Sequence, residues 1–257
     1  MEDVGKMTNN EAMRKLRKHG FKGGLEKRDK WGDTPLTGAA RRGREEMAAL
    51  LVQAGADVNG SPPTGEGVNV VDGVVSSPLM MAARGGLDRL AIMLIDKGAR
   101  VNAKDSYGST ALMKSTRAGH ESLGLMLIEK GADVNLEDEA GETALNKSAE
   151  AGLESLTFMP IQKGKGNARN STNEALVASA AGGHESLALK LLEKGADVNA
   201  RDKNGWTALM KSARRANEFF CHMLVERGAD VNVKLMDGTT LLMVSASGGL
   251  DSLAHGC

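Results

Sequence analysis

The sequence predicts an all-α repeat protein, an α-solenoid of helix-turn-helix units joined by β-hairpin loops. Three observations carry that prediction. First, a short phrase ending in Asn recurs at Asn59, Asn102, Asn135, Asn199 and Asn232, four times as GADVN and once as GARVN. Second, Thr-Pro-Leu or a variant of it begins at Thr34, Ser77, Thr110, Thr143, Glu174, Thr207 and Thr240, with spacings of 43, 33, 33, 31, 33 and 33 residues. Self-similarity at such a period is the mark of a stacked repeat. Third, Gly supplies 32 of 257 residues, while Phe, Trp and Tyr together supply only seven. That balance suits many turns between short amphipathic helices better than one large aromatic core.

The segment from Asp202 to Lys234 illustrates the unit. Asp202-x-x-Gly205 is turn chemistry, with glycine free to take a positive φ. Thr207 is placed to cap a short first helix. A second helix carries Phe219, Phe220, Met223 and Leu224 at helical spacing, and Gly228 is placed to end it in left-handed geometry. Neither helix can bury its apolar face alone, so the unit must stack on its neighbours.

Residues 1–28 lack the repeat. Their segment EAMRKLRKHG reads as a basic amphipathic helix ending at Gly20 and is expected to form an N-terminal cap, with a tether for acidic partners as the alternative. Residues 29–257 form about seven repeats, starting near 29, 72, 105, 138, 169, 202 and 235. An insertion at 60–76 contains Pro62-Pro63 and several glycines, and is expected to make an extended, mobile loop. In the fourth repeat Pro160 falls inside the second helix, and the segment after it is two residues short and lacks the turn Asp and Gly. A kink or loosened junction between repeats four and five is expected there, with a degenerate but still stacked repeat and a functional hinge as the alternatives. The seventh repeat stops about halfway through its second helix, which reads as truncation or a degraded gene end, with a fraying end as the alternative.

Composition narrows the function. Lys and Arg number 33, as do Asp and Glu, so the formal charge is zero; bulk polyanions and anionic membranes are poor matches. Residues 1–30 nevertheless carry nine basic and five acidic residues, a net +4 that leaves −4 for the rest. Two cysteines cannot form a disulfide framework, no apolar run reaches membrane-spanning length, and the N-terminus has no apolar signal core. A cytoplasmic location, with the nucleus as alternative, is expected. No Walker, G-x-S-x-G or H-E-x-x-H motif occurs. Cys221 and Cys257 lack metal-ligand spacing. No enzyme activity, cofactor or metal is therefore expected.

The 33-residue period, the Thr-Pro/Ala-Leu start, the Gly-His pairs at Gly119-His120 and Gly183-His184, and the closing Gly-Ala-Asp-Val-Asn together resemble the ankyrin repeat, from about Asp29 onward. The family's usual His after Thr-Pro-Leu is replaced here by Thr37, Met80, Met113, Asn146, Val177, Met210 and Met243. Met at these positions is expected to pack. His120 and His184 are expected to be hydrogen-bonding turn residues. The resemblance implies a concave surface lined by hairpin tips and the C-terminal ends of the first helices. Carried onto this chain, the helix-end position holds Arg41, Arg84, Arg117, Glu150, Ala181, Arg214 and Ser247, and the next position adds Arg42 and Arg215. With neighbouring helices ~8–10 Å apart, Arg41, Arg84 and Arg117 should form a positive stripe suited to bidentate capture of carboxylates. The hairpin positions hold Lys30, Trp31, Asp33, Tyr107, Glu139, Glu142, Lys203, Asn204 and Trp206. The aromatic ones are candidate interface anchors.

The expected function is non-catalytic protein–protein interaction by a monomer, with an acidic or extended protein segment as partner. A targeting segment of a larger multidomain protein or secreted effector is the alternative. Nucleic-acid binding is a weaker third possibility that would show as steep salt dependence. The resemblance further implies Asn135 and Asn199 as candidates for hydroxylation, visible as +16 in a peptide mass spectrum. The recurrent Lys-Ser pairs at Lys114, Lys147 and Lys211 are explained at this level by duplication of one ancestral unit.

Overall fold

The computed structural model describes residues 8–29, 32–60, 76–162 and 168–248. Among them lie fourteen helices. The first, α1 (Asn9–Lys18), precedes the repeats. Pairs follow: α2 (Pro35–Arg41) with α3 (Glu45–Gln53), α4 (Pro78–Gly85) with α5 (Asp88–Asp96), α6 (Ala111–Arg117) with α7 (Glu121–Glu129), α8 (Ala144–Glu150) with α9 (Glu154–Gln162), α10 (Ala168–Gly182) with α11 (Glu185–Glu193), and α12 (Ala208–Arg214) with α13 (Glu218–Glu226). α14 (Leu241–Gly248) is the last. Most have seven to nine residues, too few to persist alone in water. Their stability comes from packing.

Local chemistry sets the boundaries. The side chains of Thr34, Ser77, Thr110, Thr143 and Thr207 each accept a hydrogen bond from the backbone N–H three residues on, which satisfies an orphan donor of the first helix. The second helices α3, α5, α7 and α11 have no side-chain cap. At the end of α13, Gly228 has φ +88°. There the Ala229 N–H reaches the Leu224 carbonyl and the Gly228 N–H the Val225 carbonyl, a left-handed helix stop. The inter-helix turn uses glycine at Gly43, Gly86, Gly119, Gly152 and Gly183, all with positive φ, but the sixth repeat has Ala216 at φ 56°. An L-residue there carries ~1–2 kcal/mol of strain, whereas glycine adds ~0.5–1 kcal/mol of unfolded-state freedom. Ala216→Gly is therefore expected to stabilise by about 0.5 kcal/mol, seen as a higher urea midpoint by circular dichroism; a lower midpoint would refute the strain.

The chain divides into two compact units, Met1–Gly141 and Glu142–Cys257. In the first, α2, α4 and α6 lie side by side, each backed by its own second helix, while α1 packs on α3 and α3 on α5. Ala12 and Leu16 of α1 are fully buried, and Thr8 and Glu11 close its start with reciprocal hydrogen bonds. In the second unit, α10 packs against α8, α9, α11 and α12, and α12 against α13 and α14. The residues at the family's His position pack as expected: Met80, Met113, Val177 and Met210 are at most 2% exposed. Met243 departs from this and is exposed. Thr37 instead shares a buried hydroxyl contact with Thr34 at 3.0 Å.

The closing Asn has a double role. Asn102 accepts from the Asp133 N–H at 2.8 Å and donates to the Gly131 carbonyl at 3.1 Å. In the second unit Asn199 does the same with Asp230 and Gly228. A carboxamide offers both a donor and an acceptor, and so ties one repeat end to the next. The hairpin loops contain no longer strand among the described residues, only the isolated antiparallel bridges Arg201–Thr207 and Lys234–Thr240.

The fourth and fifth repeats follow the stacked reading, not the loosened junction. Helix α9 runs through Pro160 to Gln162, with Pro160 buried. α10 packs on both α8 and α9, so these repeats share one unit instead of parting at a loosened junction. Pro160 costs one backbone bond in the last turn of a short helix, while the contact between repeats is carried largely by α8. What changes is the hairpin. Without the turn Asp and Gly, the chain starts helix early, and α10 has 15 residues. Asn173 of α10 takes over the Asn role, accepting from the Asp197 N–H at 2.8 Å. Most of the 60–76 insertion lies outside the described residues, as does Cys257.

Candidate functional site

The arginines at the first-helix ends differ in what they are free to do. Arg41 donates to the Asp33 carboxylate at 2.9 Å. Arg42 turns back to the Gly38 carbonyl at 3.1 Å. Arg84 and Arg117 are exposed, and among the described residues their side chains make no hydrogen bond or ion pair. Arg214 lies over the Trp206 ring at 5.6 Å, and Lys211 lies 5.0 Å from the same ring, a cation–π arrangement. Arg215 donates to the Ala181 carbonyl at 2.6 Å. The described part of the arginine series thus presents Arg84 and Arg117 as its unpaired members in the first unit.

The Arg215 bond explains a gap in the sequence pattern. His120 places a ring nitrogen 3.2 Å from the Arg84 carbonyl oxygen, and His184 one 2.9 Å from the Glu150 carbonyl oxygen. These are links between repeats. The sixth repeat has Asn217 in place of that His, and Arg215 makes the equivalent link. Asn217 instead caps α13 and donates to Glu185 at 2.6 Å.

The hairpin residues also separate. Asp33 is only 7% exposed; burial pushes its carboxyl above the ordinary value, with the Arg41 guanidinium pulling the other way. Its geometry closes a turn, with its own N–H and carbonyl both bonded to Asp29. Tyr107 is 56% exposed, on a backbone held by Asp105 at 3.0 Å. Glu139 is exposed, and its N–H meets the Tyr107 carbonyl. Glu142 pairs with Lys203 at 2.9 Å. These residues belong to the fourth and sixth repeats and meet because the fifth has no hairpin between them. Asn204 is exposed, with its N–H on Asp202. Trp206 is half-buried. Lys30 and Trp31 lie outside the described residues.

The Lys-Ser pairs do more than mark duplication. Lys114 reaches the fully buried Asp105 carboxylate at 2.6 Å, and Lys211 reaches Asp202 at 3.0 Å. Each Lys clamps the Asp that opens its own hairpin. Each Ser is buried and returns its hydroxyl to a carbonyl of its own helix, Ser115 to Leu112 and Ser212 to Ala208. A Lys nine residues after the turn Asp was the available signal, because one helical turn past the cap brings the two together. Cys221 is fully buried, and burial, with Glu218 nearby, pushes its thiol up to about 12. Such a thiol is inert rather than nucleophilic. No helix among the described residues is long and apolar enough to cross a membrane.

Paired short helices, a 33-residue period, and His, Asn and Arg links from repeat to repeat define a stacked helical repeat protein. Family models agree: that for ankyrin repeats (3 copies) matches residues 64–138, 145–235 and 176–254, and that for a single ankyrin repeat matches 31–61. The chain belongs to the ankyrin repeat family. It is similar to the crystal structure of the human ASB11 ankyrin repeat domain, at 24% identity and a TM-score of 0.65, over 85% of this chain and 97% of that one; at that identity the likeness speaks for the fold. A search of curated proteins gave no match. Ankyrin repeats are in general protein–protein interaction modules.

Proposed function

We propose that the chain is a non-catalytic binding scaffold whose first unit captures an acidic protein segment on the face that carries the C-terminal ends of α4 and α6. The observation that carries this is the contrast among the arginines. Arg41, Arg214 and Arg215 are occupied inside the protein, whereas Arg84 and Arg117 stand exposed with no side-chain partner among the described residues. A guanidinium is a planar fork that fits a carboxylate with two parallel bonds. Tyr107, exposed at the hairpin before α6, is a further anchor.

Arg84→Glu combined with Arg117→Glu tests the proposal. The double variant is expected to weaken capture of partner proteins by about tenfold or more, since two attractions become repulsions. Far-ultraviolet circular dichroism should be unchanged, because both side chains are solvated. A pull-down quantified by mass spectrometry, wild type beside variant, reads the effect. Undiminished capture by a folded variant would end the proposal.

A further inference from the structure

We infer, building on the scaffold proposed above, that the acidic segment binds as a polyproline II helix with carboxylates three residues apart, one on Arg84 and one on Arg117. The two arginines occupy the same position in successive repeats, 33 residues apart, at the ends of the packed helices α4 and α6. Helices so packed lie ~8–10 Å apart, and this spacing is carried to the arginine backbones by a lock. The His120 ring hydrogen-bonds the carbonyl oxygen of Arg84 itself, so the turn after α6 holds the last turn of α4. Gly86 makes room for it: a Cβ there would stand 2.7 Å from the imidazole. The guanidiniums therefore hang from two anchored points, not from loops.

Partner conformations differ in which spacing they can offer. On a β-strand, residues three apart point to opposite faces, and same-face residues recur about every 6.6 or 13 Å. On an α-helix, neighbours at i+3 and i+4 are only ~5–6 Å apart, and the next same-face position, i+7, lies ~10.5 Å along the axis, beyond the helix packing range. Polyproline II repeats every three residues with a rise of 3.1 Å, so same-face carboxylates recur about every 9.3 Å, inside the packing range of the helices that carry the two arginines. An exposed aromatic on the same repeat, Tyr107, is the residue type that proline-rich segments pack against. Arg41 does not extend the reader to three points, because Asp33 already holds it. The recognition unit is thus a single pair of acids separated by two prolines.

The test uses the full chain and fluorescent peptides of equal charge that differ in acid spacing: Glu-Pro-Glu, Glu-Pro-Pro-Glu and Glu-Pro-Pro-Pro-Glu cores, with an acidic single-stranded oligonucleotide and a helical peptide as comparators. Anisotropy at moderate salt is expected to show the two-proline spacing binding about fivefold tighter than the others, the effect of one exposed guanidinium–carboxylate pair gained or lost. Arg117→Ala should abolish that preference while leaving circular dichroism intact. Equal binding of all peptide spacings would overturn the polyproline inference and leave the acidic scaffold standing. Tighter binding of the helical peptide or of the oligonucleotide would overturn it too. No binding by any acidic peptide, with undiminished capture by the double reversal, would remove both.

Discussion

Phe220→Ala is expected to destabilise the second unit by about 3–5 kcal/mol. Phe220 is 1% exposed and shares a core with Leu187, Leu191, Leu209, Met210 and Leu224. The buried members around it are Leu, Ala, Met, Val and Cys, so the ring is the largest fully buried side chain there, and the neighbours cannot expand to fill the void. The cost combines lost apolar burial with the cavity left behind. The neighbouring variant, Phe219→Ala, supplies the control. Phe219 is 71% exposed, and its removal should shift stability by less than about 0.5 kcal/mol. Urea titrations followed by circular dichroism should separate the two. Similar midpoints for both variants would contradict the assigned core.

Gly182→Ala is expected to cost about 2–4 kcal/mol, of which overpacking supplies ~1–3 and a strained inter-repeat hydrogen bond ~1. Gly182 ends α10 in ordinary helical geometry, so backbone strain is not the cause. A Cβ there would fall on the Glu150 carbonyl oxygen and crowd the His184 ring that bonds the same oxygen. A carbonyl fixed in a helix cannot step aside. Gly85 holds the same position in α4, yet a Cβ there would meet only the flexible Leu87 side chain at 3.3 Å or beyond. Gly85→Ala should therefore be near neutral. Denaturant midpoints for the two variants give the comparison, and equal losses would show that α8 and α10 do not approach so closely.

The two paired predictions show where the sequence stops being informative. Helical spacing marks Phe219 and Phe220 alike as apolar positions of one short helix, yet only Phe220 turns inward. Likewise Gly85 and Gly182 are the same letter at the same place in the period. Which of them is crowded depends on how closely another repeat approaches, and that distance is not encoded locally. The arginine series behaves the same way. Its seven positions follow from the period, but Asp33, Trp206 and the Ala181 carbonyl decide which guanidiniums are consumed at home.

What the sequence determined by itself was the architecture: the period, the Thr and Ser caps, the glycine turns and the packing of Met80, Met113 and Met210. These depend on contacts within a few residues or on a neighbour of known, repeated form, so a recurring phrase is enough to specify them. Only the tertiary structure decided that the missing hairpin of the fifth repeat becomes extra helix, that Glu142 thereby meets Lys203 across the gap, and that Lys114 and Lys211 clamp buried turn carboxylates. Among the described residues, only it left Arg84 and Arg117 as an unpaired couple. Ion pairs and side-chain exposure are set by distances of a few ångströms between segments remote in the chain, which a pattern of residue types does not contain.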